Sequence, residues 1–119
     1  MNHNQQLGNT GELLAAQFLA DRGMRVLARN WRCRTGELDI VAVDGGIIVA
    51  VEVKTRSGLG FGHPAEAVDA RKLLRLHRLA SAWCRENGCV RQRRRVDVVS
   101  VLTAPGKDPE FAYYPEVTL

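Results

Sequence analysis

The sequence predicts an α/β domain in which helices flank a central mixed β-sheet. Three observations carry this prediction: an amphipathic helix near the start, two Val- and Ile-rich runs joined by Gly45 and Gly46, and a second amphipathic helix followed by another β-branched run. Helices that alternate with apolar strands are typical of layered α/β folds. With 119 residues we expect one domain over 1–119, with its core over 8–102 and a C-terminal tail over 103–119.

The first helix is predicted from Asn9 to Arg22, with Gly23 ending it. Asn9 is expected to cap this helix, with Glu12 completing a capping box. Its apolar face is predicted to comprise Leu13, Leu14, Phe18 and Leu19. The segment "MRVLARNW" is then typical of a short strand.

The two β-branched runs, Glu37 to Asp44 and Ile47 to Lys54, are predicted to form an antiparallel hairpin. Both of its faces are apolar, so the hairpin should be central and covered on both sides. After the glycine-rich "SGLGFGHPAE", with Pro64 in a first helical turn, a second helix is predicted from Ala65 to Glu86. The segment "VDVVSVL" predicts a further strand, and the tail a short edge strand.

Composition limits the class of protein. Hydrophobic residues make up 45% and charged residues 25%, as in ordinary globular domains. The polar start lacks the features of a secretory signal, no stretch is long enough to span a membrane, and Cys33, Cys84 and Cys89 form no metal or disulfide pattern. We expect a cytoplasmic protein without a membrane partner, and the net charge of +4 favours a polyanionic one.

Four charged side chains interrupt the apolar hairpin. They are Glu37, Asp39, Glu52 and Lys54. A two-residue loop places Asp39 opposite Glu52 and Glu37 opposite Lys54, and the alternation of side chains places all four on the face of Val41. A three-residue loop would shift the pairing and scatter the group.

The paired carboxylates indicate a metal site. Asp39 and Glu52 would have Cβ atoms about 4.5–5.5 Å apart and would repel each other unless one is protonated or a cation lies between them. Oxygen ligands favour Mg²⁺ or Mn²⁺, which can activate a phosphodiester and a water, with Lys54 balancing charge at phosphorus. The structural alternative is a Glu37–Lys54 ion pair beside two acids at a solvated end of the sheet.

The motifs around this cluster resemble those of a nuclease superfamily. Gly36-Glu37-Leu38-Asp39, followed by Glu52-Val53-Lys54, is similar to the PD-(D/E)xK core in its Holliday-junction-resolvase-like branch. The ordered segments "RNWRCRTGELDIVAVD", "VEVKTR", "FGHPAEAV" and "RVDVVSV" resemble the bacterial YraN-like (UPF0102) family. The resemblance implies a restriction-endonuclease-like fold. No Pro precedes Asp39, and the tail "EFAYYPEVTL" departs from the familiar family ending.

The resemblance also implies roles for residues of this sequence. Asp39 and Glu52 would be metal ligands together with the main-chain carbonyl of Val53, and Lys54 would be the catalytic lysine. Glu12 would complete metal binding, and this role is compatible with a cap if the helix N-terminus faces the site. Glu37 and Thr55 would support the site.

Basic residues near this cluster are candidates for contacts with a nucleic-acid backbone. The predicted contacts are Arg32, Arg34, Arg56, Arg71, Lys72 and Arg75. A solvated helix face is the usual alternative for the last three. The run Arg91–Arg95 is interpreted equally as phosphate contacts or as the lead-in to a strand, and Asp97 is expected to pair with an arginine.

The predicted function is a divalent-metal-dependent endonuclease for structured or double-stranded DNA. A nucleic-acid-binding accessory protein with a vestigial site fits the basic residues too, and a nuclease acting on RNA fits the same acids. One site cuts one strand, so symmetric cleavage of two strands would require a homodimer.

Overall fold

The computed structural model of the protein describes residues 3–57 and 68–118, with side chains from residue 8 onward. In chain order the elements are α1 (His3–Asp21), β1 (Arg25–Cys33), β2 (Gly36–Asp44), β3 (Ile47–Ser57), α2 (Ala70–Asn87), β4 (Arg94–Thr103) and β5 (Glu110–Tyr114). The predicted α/β fold, a mixed sheet flanked by helices, is confirmed. Neither helix is long and apolar enough, over the described residues, to cross a membrane.

The five strands form one sheet in the order β1-β2-β3-β4-β5. β3 and β4 are parallel and the other neighbours antiparallel, and α2 lies in the crossover that a parallel pair requires. The predicted hairpin is present: Gly45 and Gly46 have positive φ values of 55° and 87°, and Asp44 pairs with Ile47. The predicted edge strand in the tail is β5.

Each face of the sheet is covered by one helix. Under α1, Ala15 and Leu19 pack with Ile40, Val49 and Val51, and all five are buried. Under α2 the sheet residues include Leu38, Val41 and Ala50. The helix residues buried against them are Leu73, Leu76, Leu79, Ala80, Trp83 and Cys84. These residues recur at the spacing of one face of an amphipathic helix.

The start of α1 differs from the prediction. The helix begins at His3, because the polar run before Asn9 contains no proline to stop it, and Asn9 therefore lies inside the helix and is not its cap. Glu12 is likewise an internal helical residue. Leu13 was predicted to lie on the apolar face of this helix, but it is 56% exposed. The residues of α1 that are buried against the sheet are Gly11, Ala15 and Leu19.

The start of α2 also differs. Asp69 has extended backbone angles, and its Oδ1 accepts a hydrogen bond of 2.8 Å from the Lys72 N–H, which caps a helix that begins at Ala70. The predicted start at Ala65 is therefore wrong. Pro64 lies outside the described residues. The helix ends at Asn87, one residue beyond the predicted end at Glu86, and Gly88 takes the left-handed conformation after it.

The middle of β2 departs from regular alternation. Leu38 packs under α2 together with Val41, whereas Ile40 packs under α1, although strict alternation would place Leu38 and Ile40 on one face. The neighbouring strand is irregular at the same level, because Asn30 of β1 has a φ of 54°. The consequence is that Asp39 lies on the α1 side of the sheet and not on the face of Val41.

The tail is held by a buried acid. Asp97 is 0% exposed and accepts hydrogen bonds from Arg95 Nε (3.0 Å), Tyr113 Oη (2.5 Å) and the Glu116 N–H (2.8 Å). The same guanidinium reaches Asp44 at 2.9 Å. Asp97 therefore has the arginine partner that was predicted, and this part of the arginine run is structural.

Candidate functional site

The candidate site lies where β2 and β3 part. Their ladder ends at the pair Ile40 and Val51, one residue before Asp39 and Glu52. A cavity of about 330 Å³ opens there. Its lining residues are Gly8, Glu12, Asp39, Glu52, Val53, Lys54 and Thr55. Of the charged residues predicted to form the site, the cavity brings together Glu12, Asp39, Glu52 and Lys54.

Asp39 is a half-buried acid among other acids. Its Oδ2 accepts a hydrogen bond of 2.9 Å from the Val53 N–H, which fixes the carboxylate across the gap between the strands. Burial and the charge of Glu52 raise the pKa of Asp39 to about 7, and Glu12 and Glu37 add to the effect. The repulsion expected between Asp39 and Glu52 is therefore present.

Glu12 reaches the site because α1 lies very close to β3. A Cβ on Gly11 would be 2.8 Å from the Cβ of Thr55 and closer still to its hydroxyl, so only glycine permits this approach. The Oε2 atom of Glu12 is buried and has no hydrogen-bond partner among the described residues. Burial raises the pKa of Glu12, while contacts with Asp39 and Asn30 oppose the rise.

Glu52 has a cationic partner that the sequence analysis missed. Lys72 Nζ lies 2.9 Å from Glu52 Oε1, with 37% of the lysine side chain and 17% of the glutamate side chain exposed. Lys72 was predicted instead to contact a nucleic-acid backbone. The sequence does contain a signal for this position of Lys72. Asp is a favoured N-cap residue, and an N-cap at Asp69 puts Lys72 in the first turn of α2.

Lys54 and Glu37 do not pair with each other. Lys54 is exposed at the edge of the cavity. Glu37 does not line the cavity, and its carboxylate lies 3.1 Å from Arg32, its partner across β1 and β2. The alternative of a Glu37–Lys54 ion pair is therefore wrong, because Glu37 pairs with β1 where the β2–β3 ladder has already ended.

The predicted backbone contacts separate into three groups. Arg71 and Arg75 line a groove of about 640 Å³ on the outer side of α2, which Thr35 also borders. Further cationic side chains in that groove are Arg78 and Arg85. Arg32 and Arg34 border a shallow depression beside it. Arg56 is half-buried in β3 opposite Leu102, and it does not line these surfaces.

The acids of the described residues do not form a complete set of metal ligands. No group of three or more His, Cys, Asp or Glu residues in the described part of the chain has the arrangement of a metal site. Nevertheless, oxygen donors meet in one cavity, Glu12 Oε2 is unsatisfied, and two acids have raised pKa values. These features fit a hard divalent cation, which would satisfy the oxygen atoms and remove their repulsion.

Comparison with known proteins identifies the family. The model of "Uncharacterised protein family UPF0102" matches residues 11–101. The chain belongs to the UPF0102 family. A UPF0102 protein of Paenarthrobacter aurescens is 54% identical, over 95% of this chain and 93% of its own length. The UPF0102 protein of Arthrobacter sp. strain FB24 is 58% identical, over 95% and 96%. The family resemblance inferred from the motifs is confirmed.

Among solved structures, the UPF0102 chain is similar to Hjc, a Holliday junction resolvase from Archaeoglobus fulgidus. The identity is 21% and the TM-score is 0.47, with 91% of this chain and 71% of the other covered. A likeness at this level concerns the arrangement of helices and strands alone.

Proposed function

We propose that the protein is a divalent-metal-dependent endonuclease that hydrolyses phosphodiester bonds in structured or double-stranded DNA. The observation that carries the proposal is the meeting of Glu12, Asp39 and Glu52 in one cavity with Lys54 at its edge. Acids with raised pKa values and an unsatisfied oxygen are costly to the fold, so a functional reason for keeping them is favoured. The motif resemblance to PD-(D/E)xK nucleases supports the same proposal.

Mg²⁺ or Mn²⁺ would be held by carboxylate oxygens of Asp39, Glu52 and Glu12 and by the main-chain carbonyl of Val53. When bound, such an ion supplies Lewis-acid activation of a phosphoryl oxygen and lowers the pKa of a bound water. Asp39 is prepared for this role, because the Val53 N–H holds one of its oxygens in place. Glu12 contributes the oxygen that has no partner among the described residues.

Lys54 would act on the substrate. Its exposed side chain borders the cavity, so its ammonium can approach the scissile phosphate from the solvent side and stabilise negative charge that develops at phosphorus. Thr55 has a packing role as well, since its side chain sets how closely α1 and Glu12 approach β3.

The groove on α2 would hold the nucleic-acid backbone. Arg71 and Arg75 make no ion pair with an acid in the described part of the chain, and they lie on the helix whose first turn reaches the site. Cations without acidic partners favour contacts with phosphates. Cleavage of both strands by two chains remains a prediction.

A second candidate function is that of an accessory protein that binds nucleic acid without cutting it. The Lys72–Glu52 ion pair favours it, because a lysine can permanently balance an acid that no longer binds metal. The same basic groove would serve both functions.

Cleavage assays separate the two candidates. Labelled four-way junction, duplex, flap, single-stranded DNA and duplex RNA are incubated with protein and Mg²⁺, Mn²⁺ or a chelator. We expect metal-dependent cleavage of junction or duplex DNA, reduced at least about 100-fold by Glu52→Gln or Asp39→Asn. Glu86→Gln, an exposed acid on α2, serves as the matched control and should leave the rate unchanged.

Binding without cleavage of any substrate would contradict the nuclease proposal and support the accessory function. Cleavage of RNA alone would contradict the assignment of DNA as the substrate.

A further inference from the structure

The ion pair between Lys72 and Glu52 has no part in the proposed chemistry. It joins the first turn of α2 to an acid of the candidate site, and most of the Glu52 side chain is buried beneath it. Lys72 therefore contacts Glu52, a proposed metal ligand, and does not line the groove on the outer side of α2.

We propose that Lys72 is a positioning residue that holds Glu52 in the metal-free protein and must leave it before a divalent cation binds. The inference rests on the proposed function, because it takes Glu52 to be a metal ligand. Lys72, in the first turn of α2, would then compete with the divalent cation for Glu52.

The backbone around Lys72 makes its position definite. Its N–H donates to Asp69, and Leu73 and Leu76 are buried against the sheet, so the first turn of α2 is fixed at both ends. The ammonium can then leave Glu52 only by rotation of its own flexible side chain. More than a third of that side chain is exposed, which gives the ammonium a path to solvent.

Charge explains why lysine and metal would exclude each other. Glu12, Asp39 and Glu52 line one cavity, and Lys72 is the cation in direct contact with one of them in the described residues. A divalent cation close to Glu52 would repel the ammonium and take its carboxylate oxygen.

The test compares Lys72→Met with Arg71→Met. Both substitutions remove a long cationic side chain from the same turn of α2, but Arg71 lines the outer groove and makes no ion pair with an acid among the described residues. Mn²⁺ is titrated calorimetrically into each metal-free protein without DNA. We expect Lys72→Met to bind Mn²⁺ about three- to tenfold more tightly than wild type, and Arg71→Met to match wild type.

Thermal unfolding supplies a second readout. Lys72→Met should unfold at a lower temperature than wild type without metal and gain more from added Mn²⁺, because its acids are left unbalanced until the ion binds. A purely structural lysine would lower stability equally with and without Mn²⁺ and would leave the affinity unchanged.

The outcomes distinguish this inference from the nuclease proposal. Wild type that binds Mn²⁺ while Lys72→Met binds it no more tightly would overturn the role of Lys72 alone. Tighter binding by Lys72→Met in a protein that cuts nothing would uphold that role and overturn the nuclease proposal. If neither protein binds Mn²⁺, both are overturned.

Discussion

Asp97 and Asp39 are two acids of one sheet with opposite surroundings. Asp97 is fully buried and is satisfied by Arg95, Tyr113 and the Glu116 N–H. Burial and the hydrogen bond to Asp97 raise the pKa of Tyr113 to about 12, so the phenol keeps the proton that it donates. Asp39 is more exposed than Asp97. It accepts a hydrogen bond from one backbone N–H, and its neighbours include further acids.

The two acids differ in whether neighbouring groups balance their charge. Around Asp97 every charge has a partner, and the network ties β5 to β4. The charges that raise the pKa of Asp39 belong to Glu52, Glu12 and Glu37, and the fold gains nothing from that repulsion. Burial alone therefore does not mark an acid as a candidate for function, whereas burial without compensation does.

Removal of the two acids should have opposite effects on stability. Asp97→Ala removes the buried partner of Arg95, Tyr113 and the Glu116 N–H, leaves Arg95 only its second acidic partner, Asp44, and should lower the free energy of unfolding by about 3–5 kcal/mol. Asp39→Asn relieves repulsion and should leave metal-free stability level or higher. Urea unfolding of both variants measures this. A large loss of stability in Asp39→Asn would assign that acid to structure and contradict the comparison.

Gly11→Ala tests whether close packing delivers Glu12 to the site. The added methyl group would collide with Thr55 and push α1 away from β3, which should cost about 1–3 kcal/mol of stability and weaken metal binding. Gly8→Ala is the matched control for the loss of stability, because a Cβ there meets no atom within 4 Å. Equal metal affinity in Gly11→Ala and wild type would show that Glu12 is not needed.

The comparison also predicts how the metal-free stability depends on pH. The folded protein raises the pKa of Asp39 to about 7, so it binds the proton more tightly than the unfolded chain does. Stability should therefore fall as the pH rises from about 4 to 7, by less than about 1.4 kcal/mol per pH unit. Asp39→Asn should flatten this decline, and Asp108→Asn, in an exposed turn, should not. An unchanged slope in Asp39→Asn would contradict the assignment.

Much of the site could be predicted from the sequence because a two-residue turn fixes the register of a hairpin. Gly45 and Gly46 set the pairing of β2 with β3, and counting outward then brings Asp39, Glu52 and Lys54 to one place. The face on which Asp39 lies could not be predicted, because regular alternation fails beside the positive φ of Asn30.

Contacts between distant elements were harder to predict. Glu12 was predicted to be part of a cap and, from the family resemblance, to complete metal binding. The cap is absent because the helix starts earlier, and Gly11 brings Glu12 into the cavity. The contact of Lys72 with Glu52 depends on how α2 packs across the sheet, which no local pattern specifies. Sequence periodicity identifies which face of a helix is buried, but the packing of that face decides which side chain reaches the site.

We propose that Asp39 lacks a compensating charge because it belongs to a metal site. Calorimetric titration of Mn²⁺ at pH 8 into wild type and Asp39→Asn tests this proposal. We expect saturable binding by wild type and its loss in the folded variant, with affinity in wild type increasing from pH 6 to pH 8 as Asp39 loses its proton. Equal binding by both proteins, or binding by neither, would contradict it.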